Sequence, residues 1–474
     1  MQKSRLPEAF LADMRQLLGD EYEHYLTSME ERAMSGLRVN TLKTSPEAVE
    51  SMFGSMKPVP WTQNGFYITE ESRFTKSPYY YAGLYYIQEP SAMSSAALLG
   101  TRPGERILDL CAAPGGKTTQ IAADLKGRGF LVSNDLSASR AKALLKNIEL
   151  MGIGNACISC EESGKLADAF PLYFDRILVD APCSGEGMFR KRPAVIRAWQ
   201  EHGKDFYCQV QRTLLEDAAR MLHPGGTLLY STCAYNVNEN EVQIRGFLKE
   251  HPDFVLDPIP ILSGFTSSRL LPGCIRLFPH KAEAEGHFVA RLKKRGEQRA
   301  LLVSGFPDKR RDETENGSSG FRNEKKQQNH RKNRKGTEDD REALRLFFEK
   351  SYFHPRPEQI SLEGEYVLCL PEDGSIPDSL RYLRTGLLLG RLKNGRFKPS
   401  QALAMFLKKE DWVDPIDVPA ESEAVMRYLR GETLDTTEKG TGYRLFCADG
   451  FPLGFVKQDR QRLKNMYLPG WRMQ

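Results

Sequence analysis

Long apolar runs are missing from this chain: no stretch of its 474 residues approaches the ~18 that a bilayer-spanning helix needs. No membrane association is therefore expected. The charged-then-apolar order of a signal peptide is missing too, because the opening MQKSRLPEAFLADMRQLLGDEYEHYL is a mixed amphipathic pattern. Cysteine is sparse and odd in number: nine, widely scattered, make no disulfide framework. A cytoplasmic location is the expectation. The eight histidines show no ligand spacing, so no metal site is expected. A surplus of one charge is lacking over most of the chain. Between residues 291 and 340, fifteen Lys and Arg meet nine Asp and Glu, while elsewhere fifty-two basic residues balance fifty-three acidic ones. The net charge of +5 thus belongs to one segment, which bears on its partners rather than on the whole surface.

What is present suggests several units, since one core rarely serves more than ~150–250 residues. Residues 1–88 read as a small α+β module. Apolar residues recur at helical spacing over 7–29, a short strand falls at Leu37 to Asn40, Ser45-Pro46-Glu47 opens a helix, and Phe66 to Ile68 forms another strand. Residues 89–293 alternate apolar runs with helical patterns, the signature of a doubly wound parallel α/β sheet. Strands are expected at 106–110, 130–134, 156–160, 176–180 and 227–232, with 287–292 closing the sheet and helices at 118–125, 139–151 and 209–222. Residues 294–340 are too polar to offset the ordering entropy of ~1–2 kcal/mol per residue and read as a basic linker. Beyond it, 341–409 and 410–474 mix short strands and helices.

The segment ILDLCAAPGGKTTQIA carries the first chemical signal. A strand ends near Asp109-Leu110 and runs through small residues, Cys111 to Gly116, into a helix beginning near Lys117. Such a turn brings backbone close to a ligand at a helix N-terminus. A P-loop needs glycine six positions before the lysine, where Cys111 stands, and no G-x-G-x-x-G is present. Asp135 lies nineteen residues after Gly116 at the next strand's end, where a carboxylate accepts ribose hydroxyls. It could equally cap the following helix, a task open also to Ser137 or Ser139.

Two further strands end in cysteine-bearing motifs, DAPCSGEG and STCAYNVNENE. If these strands are neighbours, ~4.8 Å apart, Cys183 and Cys233 emerge together beside the cofactor turn. A free cysteine is often only a small buried hydrophobe. Paired thiols suit a reaction at C5 of cytosine, a poor nucleophile until a thiolate adds to C6. Asp180 could bond the base edge, and the base must be unstacked to be reached.

Together LDLCAAPGGKTTQ, DAPCSGEG, STCAYNVNENE and YIQEPSAM resemble the Sun (Nop2/Sun) family of RNA cytosine-5 methyltransferases. The resemblance is specific over about residues 30–293 and looser over the tail GFVKQDRQRLKNMYLPGWR. It implies a Rossmann-like class I methyltransferase sheet, with an α+β RNA-binding module before it and a PUA-like α+β region after it. It further implies that Cys111, Ala112, Ala113, Pro114, Gly115, Gly116 and Lys117 contact S-adenosylmethionine, with Asp135, Arg140, Glu162 and Asp180 completing that site. Cys233 would be the nucleophile, and Cys183 would assist release of product. Pro182, Arg38 and Asn40 would face the RNA. The implied partner is rRNA, within the small ribosomal subunit or free of it, met by a monomer.

Other signals stay open. Cys157-x-x-Cys160 lacks a second ligand pair and reads as strand, against zinc or redox use. The basic linker could touch phosphates or serve as a tether. Tyr467 and Trp471 could stack on bases or pack in a core. Met188 to Arg192 reads as an RNA-contacting loop. The same chemistry on tRNA, or a non-catalytic RNA-binding assembly factor, remain the alternatives.

Overall fold

The computed structural model describes residues 6–203, 205–301, 336–372 and 376–473, so most of the expected linker lies outside the described residues. The expected helix over 7–29 is two helices, Glu8–Leu18 and Tyr22–Ser28, divided by a 3-10 turn at Gly19–Glu21. The break falls at Gly19, whose φ of 56° is a conformation that side chains disfavour. The apolar face Phe10, Met14, Leu18 and Tyr25 packs on Phe189, Trp199, Tyr235 and Phe278, well outside the first ninety residues. Strands β1 (Ser35–Val39), β2 (Gly65–Ile68) and β3 (Tyr85–Gln88) form an antiparallel sheet with β1 in the middle. Ser45 caps the helix Pro46–Phe53 by accepting from Ala48 N.

The central sheet is built on β4 (Arg106–Asp109), β5 (Phe130–Asn134), β6 (Ala156–Ser159), β7 (Phe174–Asp180) and β8 (Leu222–Thr232). These five are parallel, in the order β8-β7-β4-β5-β6. Burial on both faces explains their unbroken apolar runs, such as Ile177-Leu178-Val179. The chain steps outward from β4 through β5 to β6, then returns to lay β7 on the other side of β4. At that reversal a crevice opens at the carboxyl ends of the strands.

The sheet is not wholly parallel, as the sequence suggested. Strands β9 (Phe254–Leu256), β10 (Phe265–Ser267), β11 (Ile275–Leu277) and β12 (His287–Lys294) add antiparallel pairs. β12 therefore lies inside the sheet, and the edge is β10. Three-residue strands are too short to show a periodicity, so 254–277 carried no signal.

Five more strands follow: β13 (Ile360–Glu363), β14 (Tyr366–Cys369), β15 (Tyr382–Thr385), β16 (Leu387–Lys393) and β17 (Arg396–Pro399). Four form a sheet in the order β13-β14-β16-β17, while β15 leaves them and pairs antiparallel with β6 on the central sheet. Gly386 makes the change of sheet possible. Its φ is 79°, and a Cβ there would lie 2.3 Å from the Cys369 carbonyl oxygen. Glu161, at the end of β6, secures the seam by accepting from Arg381 N at 2.8 Å and Nε at 3.0 Å. β18 (Ile416–Val418), β19 (Leu434–Ala448) and β20 (Phe451–Asn465) form the last sheet.

Phe10 is 1% exposed, with its ring centroid 4.9 Å from that of Phe189. Phe10→Ala should lower stability by about 3–4 kcal/mol in the first transition of a urea melt. A loss under 1 kcal/mol would mean that the amino-terminal helix is not docked as described.

Candidate active site

Residues 110–115 carry the chain from β4 into the helix Gly116–Leu125, with Gly115 at φ 110° as the N-cap. The turn is braced from behind. The Arg38 guanidinium donates to the Gly116 carbonyl, to Gln88 Oε1 at 2.6 Å and to Thr119 Oγ1 at 2.6 Å. Arg38 is 3% exposed, and burial lowers its pKa to about 10. Asn40 is also buried, donating to the Gly83 and Met151 carbonyls. The expectation that these two face RNA is corrected: Arg38 holds the first sheet against the start of the helix Gly116–Leu125, and Asn40 ties that sheet to Met151, past the end of the helix Ala138–Leu150.

Acidic side chains collect at the carboxyl ends of the strands. Asp135 accepts from Ala113 N at 3.2 Å and Ser137 N at 3.0 Å, and lies 3.4 Å from Arg140. Arg140 also donates to the Ala113 carbonyl at 2.7 Å. Ser137 caps the helix Ala138–Leu150, so that task does not account for Asp135. Glu162 is exposed, just past the end of β6. Asp109 is fully buried; its Oδ2 accepts from Thr118 at 2.6 Å, whereas its Oδ1 has no partner. Burial raises this carboxyl to about 7; Asp180 adds to the rise, and the Thr118 hydroxyl opposes it. Small residues that let backbone approach, beside carboxylates at three neighbouring strand ends, suit a ligand bearing ribose hydroxyls, an ammonium group and a sulfonium. An orphaned buried Oδ1 is the atom such a ligand would satisfy.

The reactive edge lies one strand over. Asp180 stands opposite Ser231 in the parallel ladder, and the segments that follow bring Cys183 Sγ within 3.3 Å of Cys233 Sγ. Lys117 Nζ donates to Asp180 Oδ2 at 2.7 Å, and Ser231 Oγ donates to Oδ1 at 2.8 Å. Burial alone would raise the Asp180 carboxyl, but the Lys117 charge and these hydrogen bonds outweigh it and hold it low. Cys183 keeps its proton, first because it shares a hydrogen bond with Cys233 and second because it is buried. The loops are fixed by backbone. Ser184 N donates to Glu239 Oε2 at 3.0 Å, Gln211 Nε2 to the Pro182 carbonyl at 2.9 Å, and Gly187 N to the Cys233 carbonyl at 2.8 Å.

Lys117, Asp180, Cys183 and Cys233 therefore meet, with Pro182 in the same loop. The turn 111–116, Asp135 and Arg140 adjoin them, and Glu162 stands at the outer edge. The expected RNA loop at 188–192 is largely covered: Phe189 is fully buried, Arg190 Nη2 is 2.8 Å from Glu285, Lys191 donates to Ser35 Oγ at 3.3 Å, and of the five only Arg192 is exposed. Tyr467 and Trp471 are buried in the core. Among the described residues no group of three or more His, Cys, Asp or Glu could hold a metal. Asp109, Ser231, Glu239 and His287 were missed. The first three lie within or beside the motifs, where position at a strand end was the available signal. His287 had none: it is buried, hydrogen-bonded to Ser95 at 2.9 Å, and lowered to about 3 by burial.

Comparisons with known proteins agree with this geometry. The family described as 16S rRNA methyltransferase RsmB/F matches residues 96–293. The N-terminal domain of 16S rRNA methyltransferase RsmF matches 6–90, the RsmF first C-terminal domain 346–407 and the RsmF PUA domain 415–473. Ribosomal RNA small subunit methyltransferase F of Erwinia tasmaniensis is 39% identical over 303 residues, covering 61% of this chain and 63% of that protein. The protein of the same name from Cronobacter sakazakii is 32% identical over 484 residues, covering 98% and 95%. A methyltransferase homologue from Pyrococcus horikoshii superposes with a TM-score of 0.53 at 30% identity, over 62% of this chain and all of that one. NSun6 of the same organism, solved with SFG, gives 0.54 at 23% identity over 61% and 99%, a likeness of fold. The central sheet is thus that of a Rossmann-like methyltransferase.

Two variants probe the brace and the buried acid. Arg38→Met strands several buried acceptors and should destabilise by about 2–4 kcal/mol in urea melts. Asp109 binds its proton more tightly folded than unfolded, so stability falls as pH rises from about 4 to about 7. Asp109→Asn should remove that slope and gain roughly 2–4 kcal/mol over the native chain at pH 8, but little at pH 4. Parallel stability curves for the two proteins would refute the assignment.

Proposed function

The chain belongs to the RsmF family of 16S rRNA methyltransferases, and on that footing we propose that it methylates C5 of a cytosine in small-subunit rRNA through a cysteine adduct. The observation that carries this reading is the pair of thiols 3.3 Å apart at adjacent strand ends, beside the glycine turn. A non-catalytic assembly factor has no use for such a pair.

S-adenosylmethionine, when bound, supplies an electrophilic methyl group. The backbone of residues 111–117 would hold it, with Asp135 toward the ribose, Arg140 bracing the turn, Glu162 toward the adenine and Asp180 between it and the cytosine. An unstacked cytosine enters between this turn and the thiols. Cys233 adds to C6, forming an S–C bond and making C5 nucleophilic. Cys183 keeps its own proton 3.3 Å from the attacking sulfur, and Lys117 stands nearby, bonded to Asp180. Asp180, fixed by Lys117 and Ser231, orients the base edge. Once C5 carries the methyl group it passes its proton to solvent, the C5–C6 double bond returns and the S–C6 bond breaks, its electron pair going back to the Cys233 sulfur, with Cys183 assisting release. Residues 1–88, 341–409 and 410–474 supply RNA affinity as an amino-terminal module, an accessory region and a PUA-like region. Among the described residues no helix is long and apolar enough to cross a membrane. The reading places a monomer in the cytoplasm.

Cys183→Ala should accumulate a covalent protein–RNA complex, visible as a denaturant-resistant band, that Cys183→Ala/Cys233→Ala does not form. An adduct that persists without Cys233 would overturn the nucleophile assignment. Bisulfite mapping of rRNA and tRNA exposed to the native enzyme tests the substrate, and conversion confined to tRNA would overturn the rRNA reading.

A further inference from the structure

A groove of about 1620 Å³ runs between the helix Ala138–Leu150, strand β15 and the sheet β13-β14-β16-β17, far from the thiols in the chain. Its open sheet face carries Arg391 and Lys393 on β16 and Arg396 and Lys398 on β17, all exposed. The register sets Arg391 directly opposite Lys398 and Lys393 opposite Arg396. Like charges facing each other across a ladder destabilise a sheet. Folding therefore does not explain them. Glu363, Glu365 and Asp378 also line the groove, but only Glu365 is shown paired with one of these four cations, at 3.3 Å from Lys393; Arg396 and Lys398 have no ion-pair partner among the described residues. Glu149, on the opposite wall, is already paired with Arg384 at 2.7 Å. Beside the cations, Tyr366 is 42% exposed and carries the Arg391 guanidinium 4.6 Å from its ring centroid, a flat platform for a base.

We propose that this face of β14, β16 and β17 binds single-stranded RNA, with Arg391, Lys393, Arg396 and Lys398 on phosphates and Tyr366 with Arg391 stacking a base. The inference rests on the methyltransferase reading and extends it to where the substrate is held. The groove adjoins the central sheet, because its wall β15 is hydrogen-bonded to β6, whose end leads to Glu162. RNA held here is registered against the same sheet that positions the cofactor turn.

The test uses the full-length chain, a 20-nucleotide polyuridylate, an RNA duplex of equal length and deproteinised small-subunit rRNA. Arg396→Gln/Lys398→Gln should weaken polyuridylate binding about 10- to 100-fold at low salt and make the log–log salt slope shallower by roughly 1.4. KM for rRNA should rise by a similar factor with kcat unchanged at saturation. Thermal stability should hold or increase, since a like-charge contact is relieved. Tyr366→Leu should weaken binding and Tyr366→Phe restore it. An unchanged salt slope and KM, in a variant of a native enzyme that methylates rRNA, would overturn the proposal. Loss confined to the duplex would also overturn it. Native protein that binds polyuridylate through these residues yet methylates no RNA would sustain the groove and sink the reaction.

Discussion

The register of β7 against β8 sets Asp180 opposite Ser231, and the chemistry of the site depends on that alignment. Parallel strands lie ~4.8 Å apart, so two loops leaving them at the same level are close from the start. Three residues past Asp180 and two past Ser231, the sulfurs meet at 3.3 Å. A slip of one residue would turn every side chain of one strand to the other face and part them. The Ser231–Asp180 hydrogen bond and the Gly187–Cys233 backbone contact oppose such a slip.

Electrostatics then divides the labour among groups that look alike. Asp109 and Asp180 both end buried strands of the same sheet. Asp180 meets the Lys117 ammonium and stays ionised, whereas Asp109 meets only a hydroxyl and is raised to about 7. Similarly, Cys183 keeps its proton because it shares a hydrogen bond with Cys233 and is buried. Lys117 links both effects, since it comes from the cofactor turn yet bonds the carboxylate of the reactive strand. One cation therefore ties the glycine turn to the strand that leads to the thiols.

The outlying sheets are tied to this centre by specific contacts rather than by broad apolar interfaces alone. Arg38 passes from the first sheet to the back of the cofactor helix. The amino-terminal helices clamp the segment after Cys183 through Phe189 and Trp199. From the other side β15 extends the central sheet, with Glu161 holding Arg381. The first sheet, the amino-terminal helices and β15 thus each contact the central α/β unit directly.

Local signals in the sequence determined the parallel strands, the small-residue turn at 111–116 and the two cysteine motifs, because a doubly buried strand must be apolar throughout and a close backbone approach admits only small residues. Asp135, Asp180, Cys183 and Cys233 were legible because each stands at or just past a strand end, and Lys117 because it opens the helix after the small-residue turn. Tertiary structure alone decided the rest. Arg38 reads on its own as a basic residue of a binding module, and only partners some eighty positions away turn it into a buried brace. Phe189 to Lys191 look like an RNA loop until the amino-terminal helix and Glu285 cover them. β15 joins a strand more than two hundred residues earlier, and His287 reaches Ser95. Contacts between segments so far apart leave no periodicity in either one, since each is satisfied by a neighbour that only the folded chain brings near.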